Sequence, residues 1–298
     1  MYWYDGQLCE SEAIALPISD PGLLYGATVF TTLRVWQESL EHPLSFWREH
    51  CDRLRHSLQA FGWSEPHWDQ LSQGAETLTQ NYPVLRITIF PDGREWITGR
   101  SLPTNLQKWQ QEGISAWVAP GELRRSLPSH KTGNYLACWL AGQQARSYGH
   151  QEAILINRQG HWIETSTGNL WGWSDGCWWT PCLATPEAHL ARTAGQPITG
   201  GQCGEILPGV GRSHLIRVLK WHNKEVQEAV WTLDRVIRFE TLLYTNSVRH
   251  VVPIARVNQD AVVGVSQWED KYEKGQPLTY CANHPQLREL VALFNTVV

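Results

Sequence analysis

Ser129-His130-Lys131-Thr132-Gly133-Asn134-Tyr135 is the stretch on which the reading of this chain turns. Lys131 stands there among small polar residues. Before it lies an aperiodic run, 119–129, that contains Pro, Gly and Arg; after it a helix is expected from Asn134 to Tyr148, stopped by Gly149. A run of that kind between two patterned halves marks a domain boundary. The other lysines, Lys108, Lys220, Lys224, Lys271 and Lys274, sit in helical or charged surroundings, where a solvated ammonium is the ordinary outcome. A lysine nucleophile needs a lowered pKa and room for a carbonyl carbon to approach. Small neighbours give the room, and burial between two domains would favour the neutral amine. On this segment alone, a lysine in a surface loop is the commoner fate.

Outward from that segment, both halves mix short strands with helices. Residues 1–40 read as hairpin strands, with Val29-Phe30-Thr31-Thr32-Leu33-Arg34-Val35-Trp36 the richest in β-branched residues. A helix opens at Phe46 with the apolar stripe Trp47, Leu54, Leu58 and Phe61, and Ser45 is its expected cap. Val84–Phe90 is a strand ending in the turn Pro91-Asp92-Gly93. In the second half, Glu152–Ile156 pairs with His161–Ile163 across Asn157–Gly160, and Leu170–Trp173 with Cys177–Trp179 across Asp175-Gly176. An amphipathic helix begins near Arg212, Leu242–Thr245 is a strand, and Leu287, Leu290, Val291 and Phe294 mark a last helix. The pattern predicts a mixed α+β/α/β protein of two domains, a smaller one over 1–118 and a larger one over 125–298.

Composition narrows the functional classes. A net charge of -4 argues against general affinity for nucleic acid or anionic membranes, and no apolar stretch approaches the length of a membrane span. Seven scattered cysteines without metal-ligand spacing read as reduced thiols in a cytoplasm and predict no metal site. The 17 tryptophans suggest, as a remote alternative, a Trp-rich ligand-binding module; their spread through strand patterns favours packing.

Four further features have chemistry to offer. Pro208-Gly209-Val210-Gly211 at the start of a helix presents free backbone N–H groups at the positive end of the helix dipole, a cradle for phosphate. Thr245-Asn246-Ser247 after a strand could add donors to the same anion. Arg53 lies in line with His50 and Ser57, at the edge of its helix's buried face, where it could pair with phosphate or with a carboxylate. Glu164 ends a strand and precedes the hydroxyl-rich Thr165-Ser166-Thr167-Gly168-Asn169.

In combination and order these segments resemble the class IV, fold-type IV pyridoxal 5′-phosphate (PLP) enzymes. That family comprises branched-chain aminotransferases, D-amino-acid aminotransferases and 4-amino-4-deoxychorismate lyases. The matching stretches are Asp20–Gly26 followed by Val29-Phe30-Thr31-Thr32, His50-Cys51-Asp52-Arg53-Leu54, Lys131–Leu136, Glu164–Leu170, Leu207–Arg212, and Thr245-Asn246-Ser247 with Pro253. The resemblance implies a D-amino-acid aminotransferase-like fold, a homodimer, a small-molecule substrate, and a cofactor site in the cleft between the domains. It further implies that Lys131 bonds covalently to PLP, with Lys131 and Thr31 catalytic, and that Glu164 faces the pyridine nitrogen. Arg53, the backbone at Val210 and Gly211, and Asn246 with Ser247 would hold the phosphate, and Tyr135 would bond the cofactor's ring oxygen.

Within the family the sequence leans towards aminodeoxychorismate lyase, the folate-pathway enzyme that yields 4-aminobenzoate and pyruvate. The single Gly133, Phe30-Thr31-Thr32 and Thr245-Asn246-Ser247 resemble the lyases. Tyr135 is more typical of branched-chain aminotransferases, and Gly93-Arg94-Glu95 replaces the family's Gly-Arg-Gly, so an aminotransferase stays open as the alternative. A substrate with two carboxylates calls for cations, and Arg86, Arg94 and Arg249 are the candidates.

Overall fold

The computed structural model describes residues 1–183, 205–259 and 276–296. They form two compact units, one comprising Met1–Thr104 with His130–Tyr135 and the other the rest of the described chain from Asn105 onward. The chain is thus apportioned differently from a division at 118 and 125. The Lys131 segment belongs to the first unit because it pairs with a strand there: Phe30 N–H donates to Lys131 O at 2.8 Å and Gly133 N–H to Thr28 O at 2.7 Å. Gly133 is required at that crossing, since a Cβ would lie 2.2 Å from Thr28 Oγ1 and 2.7 Å from Gly26 O.

In the first unit, β1 (Tyr2–Tyr4), β2 (Gln7–Cys9), β3 (Val29–Arg34), β4 (Val84–Ile89) and β5 (Glu95–Arg100) make an antiparallel sheet in the order β2-β1-β5-β4-β3. Alternation along β3 and β4 sends Val29, Leu33, Leu85 and Ile87 into a core shared with Leu54 and Leu58 of α2 (Trp47–Phe61) and Leu71 and Leu78 of α3 (Trp68–Thr79). Each such leucine, nearly fully buried, stabilises the fold by about 2 kcal/mol relative to an exposed one. By register, Phe30, Thr32 and Arg34 share the opposite face with Arg86, Thr98 and Arg100. The helix α2 does not use Ser45 as its cap: Phe46 (φ 52°) occupies the cap without a side-chain bond. The Ser45 hydroxyl instead donates to Ser39 O at 2.8 Å and accepts from Trp36 N–H at 3.1 Å. A short helix, α1 (Pro21–Tyr25), is capped by Asp20.

The second unit is built on a nine-stranded sheet among the described residues, in the order β11-β10-β9-β12-β13-β6-β7-β8 with β14 on β13. Its strands are β6 (Ile114–Val118), β7 (Glu152–Ile156), β8 (Trp162–Thr165), β9 (Asn169–Ser174), β10 (Cys177–Pro181), β11 (Val226–Ala229), β12 (Thr241–Asn246), β13 (His250–Asn258) and β14 (Leu278–Thr279). Strands β6/β7, β6/β13 and β10/β11 pair in parallel and the others antiparallel. Helices α4 (Leu106–Glu112), α5 (Leu136–Ser147), α6 (Val210–Trp221), α7 (Leu233–Val236) and α8 (Pro285–Phe294) accompany it.

Trp162, Trp171, Trp178 and Trp231 are almost wholly buried core, while Trp139 and Trp221 are exposed. Cys9, Cys51, Cys138, Cys177 and Cys281 are free thiols. No described helix is long and apolar enough to cross a membrane.

Candidate active site

Lys131 and its neighbours form a compact group within the first unit. Strand pairing of 131–133 against the start of β3 sets Lys131 Nζ 4.7 Å from the centroid of the Phe30 ring. The same amine donates to Tyr135 Oη at 3.0 Å. Phe30 and Tyr135 meet edge to face at 5.3 Å, so the amine rests between two aromatic rings. On the same ring of Phe30 lies Arg86, its Cζ 3.6 Å from the centroid. Arg86 has no carboxylate partner among the described residues. Burial and the charge of Arg100 push its pKa down to about 10, with Tyr135 opposing, so the guanidinium keeps its charge at neutral pH.

Thr31 alternates to the other face of β3 and is fully buried. Its hydroxyl accepts from Arg53 Nη2 at 2.5 Å and lies 2.5 Å from His50 Nδ1. Which of Thr31 and His50 donates in that bond follows from the tautomer of His50. The structure thus brings Arg53, Thr31 and His50 into one relay at the edge of α2. The Thr31 hydroxyl, expected to be catalytic, thus has Arg53 and His50 as its protein partners.

The second unit holds the remaining candidates. Glu164, at the end of β8, is 4% exposed. One carboxylate oxygen accepts from Arg125 Nε at 2.8 Å and the other from Leu207 N–H at 3.0 Å. Arg125 in turn donates to Pro128 O at 2.7 Å, so it braces the strand-end carboxylate against the linker. Each carboxylate oxygen retains a lone pair for a further donor. Val210 and Gly211 open α6 after a Gly209 cap that makes no side-chain bond. Their N–H groups are therefore uncommitted within the helix, at its positive end. Asn169 Nδ2 donates to Leu207 O at 2.9 Å and steadies the approach to that helix.

Asn246 accepts from Val248 and Arg249 N–H within its own turn at 3.0 and 2.7 Å and donates across to Thr167 O of the β8–β9 turn at 3.2 Å. Ser247 is partly exposed. The first unit thus holds a primary amine beside aromatic rings, and the second, taken by itself, a braced carboxylate and an uncapped helix start with a hydroxyl-bearing turn; these are donor types that an aldehyde-bearing phosphate ester requires.

The other two candidate cations are already engaged. Arg94 donates to Asp20 and Asp92, each at 2.6 Å, and to Tyr4 Oη at 2.5 Å. Arg249 lies 3.4 Å from Glu152 and 2.8 Å from Tyr244 Oη. Among the lysines, Lys108 and Lys220 are exposed and Lys224 pairs with Glu289; Lys271 and Lys274 lie outside the described residues. Sequence reasoning missed Arg125 and Glu152, whose partners lie 39 and 14 residues away. It also missed His50, although its spacing from Arg53 on the helix was visible.

The chain matches the family described as amino-transferase class IV over residues 28–257. It is 25% identical over 275 residues to an aminodeoxychorismate lyase of Vibrio harveyi, covering 87% of this chain and 92% of that one. It is 24% identical over 282 residues to a branched-chain-amino-acid aminotransferase of Escherichia coli K12, covering 86% and 84%. Among solved structures, the Escherichia coli branched-chain amino acid aminotransferase superposes with a TM-score of 0.70 at 21% identity, covering 100% of this chain and 94% of that one. A PLP-bound aminotransferase from Mycobacterium tuberculosis, described as hypothetical, gives 0.74 at 16%, covering 100% and 98%. The chain belongs to the class IV aminotransferase family and has its fold, which makes it a PLP-dependent enzyme.

Proposed function

We propose that this enzyme is an aminodeoxychorismate lyase, which converts 4-amino-4-deoxychorismate to 4-aminobenzoate and pyruvate in folate biosynthesis. One observation carries the reading: the Lys131 amine and the Arg86 guanidinium share the ring of Phe30, and Arg86 has no carboxylate partner among the described residues. That arrangement supports a substrate with both an amine and a carboxylate, which the lyase and aminotransferase substrates share; the choice of the lyase rests on motifs and a relative. The lyase-like Phe30-Thr31-Thr32 and Thr245-Asn246-Ser247 and the Vibrio harveyi relative support this choice within the family.

The cofactor-holding roles fall to Lys131, Tyr135, Glu164, Arg53, the Val210 and Gly211 N–H groups, the backbone of Asn246, and Ser247. When bound, PLP supplies an aldehyde that condenses with the substrate amine and a ring that accommodates the electron pair released beside it. Lys131 would take the proton from C4 of the substrate, oriented by Tyr135 through their 3.0 Å bond. Glu164, braced by Arg125, holds a proton on the ring nitrogen. Thr31, whose hydroxyl accepts from Arg53 at 2.5 Å, holds that guanidinium in place. With the C4 proton removed, the C3–O bond breaks with its electron pair leaving on oxygen, the ring becomes aromatic, and the departing enolpyruvate takes up a proton to become pyruvate.

The test supplies purified enzyme with chorismate and the amidotransferase that aminates it. The reading expects 4-aminobenzoate to accumulate. Background 4-aminobenzoate together with rapid transamination of leucine or D-alanine would assign the aminotransferase instead. The reading includes a homodimer, to which the exposed Leu23, Leu24 and Tyr25 of α1 are suited, and a cytoplasmic location.

A further inference from the structure

Glu152 opens β7 with its side chain 1% exposed. A buried carboxylate is expensive unless well partnered, and an apolar replacement of similar volume is often no less stable. The carboxylate therefore calls for an account in terms of what it holds. One oxygen accepts from Ser166 Oγ and from Ala153 N–H (3.1 Å). The other accepts from Thr167 Oγ1 at 2.5 Å and faces Arg249 Nη1 at 3.4 Å.

These partners come from two separate turns. Ser166 and Thr167 belong to the connection between β8, which carries Glu164, and β9; Arg249 belongs to the connection between β12 and β13, which carries Asn246 and Ser247. The turns also meet directly, Asn246 Nδ2 donating to Thr167 O at 3.2 Å. On its far side Arg249 is fixed by Tyr244 Oη at 2.8 Å, by the ring of Trp109 5.0 Å from its Cζ, and through its own carbonyl by Gln110 Nε2 at 2.8 Å.

We infer that Glu152 is a positioning residue: one buried carboxylate clamps the 166–168 and 246–249 turns together and so fixes the donors offered to the cofactor's phosphate. This rests on the PLP-binding roles proposed above for Asn246 and Ser247. Arg249 is the second jaw of the clamp and is unavailable to substrate. Neither Glu152 nor Arg249 touches the cofactor in this scheme. Both act through Thr167, Asn246 and Ser247.

The experiment follows PLP release from holoenzyme on dilution, by loss of its yellow absorption, together with the phosphorus NMR signal of the bound phosphate. For Glu152→Gln, PLP affinity should fall about tenfold, the effect typical of removing a residue that orients a ligand-binding group. The phosphorus signal should move, and Glu152→Asp, which restores the charge, should recover part of the affinity. Thr167→Val, at an exposed side chain, reads the same contact should Glu152→Gln not fold, with a severalfold loss expected. Unchanged affinity and phosphorus signal in folded variants would overturn the inference while leaving the PLP reading intact. A wild-type chain that takes up no PLP would instead overturn the reading on which it rests.

Discussion

His50 shows what burial does to a single titrating side chain. Burial first, then the charges of Arg53 and Lys131, hold its pKa well below the usual histidine value. Above about pH 6.5 it is neutral folded or unfolded and contributes nothing to pH dependence. Below that, the unfolded chain takes up a proton that the native state refuses. Stability therefore falls with falling pH, by about 1.4 kcal/mol per pH unit for each such proton. Urea unfolding between pH 7 and 5.5 should give His50→Gln a shallower loss than wild type, and parallel curves would contradict the assignment. Arg86 governs a different quantity. Hydrogen bonds to charged groups contribute about 1.5–3 kcal/mol, so Arg86→Met should lower kcat/KM for the dicarboxylate substrate at least about tenfold, chiefly through KM. The side chains of the quoted motifs were legible in sequence as residues with chemistry. Their partners were not: that Thr31 faces Arg53 and His50 depends on how β3 packs against α2, which no local pattern shows.

At the scale of elements, periodicity predicted β3, α2, the β7–β8 hairpin and α6 close to where they lie. It could not assign Ile114–Val118, because that strand pairs in parallel with β7 and with β13, more than 130 residues away, and such pairing leaves no local signal. Ser45 misled as a cap because its hydroxyl has better-placed partners at Trp36 and Ser39. The turn between β8 and β9 permits a direct prediction. A Cβ on Gly168 would lie 2.4 Å from Thr245 O, where backbone must give way. Gly168→Ala should therefore destabilise the protein by about 1–3 kcal/mol, as overpacking does, and weaken PLP binding as the two turns separate. A urea midpoint and a PLP titration matching wild type would refute that reading.

For the whole molecule, the family and a PLP-dependent chemistry follow from the match over residues 28–257, and the substrate rests on far fewer residues. Helix α1 buries none of its residues, with Leu23, Leu24 and Tyr25 all more than half exposed, which suits coverage by a second copy. Sedimentation should show a dimer that Leu24→Glu weakens; a wild-type monomer across the micromolar range would rule the dimer out. The central claim is the covalent bond at Lys131, and borohydride reduction of the holoenzyme followed by peptide mass mapping tests it most directly. The account predicts a bleached yellow band and the reduced cofactor's mass on the peptide containing Lys131. Label on any other lysine, or none, would contradict it.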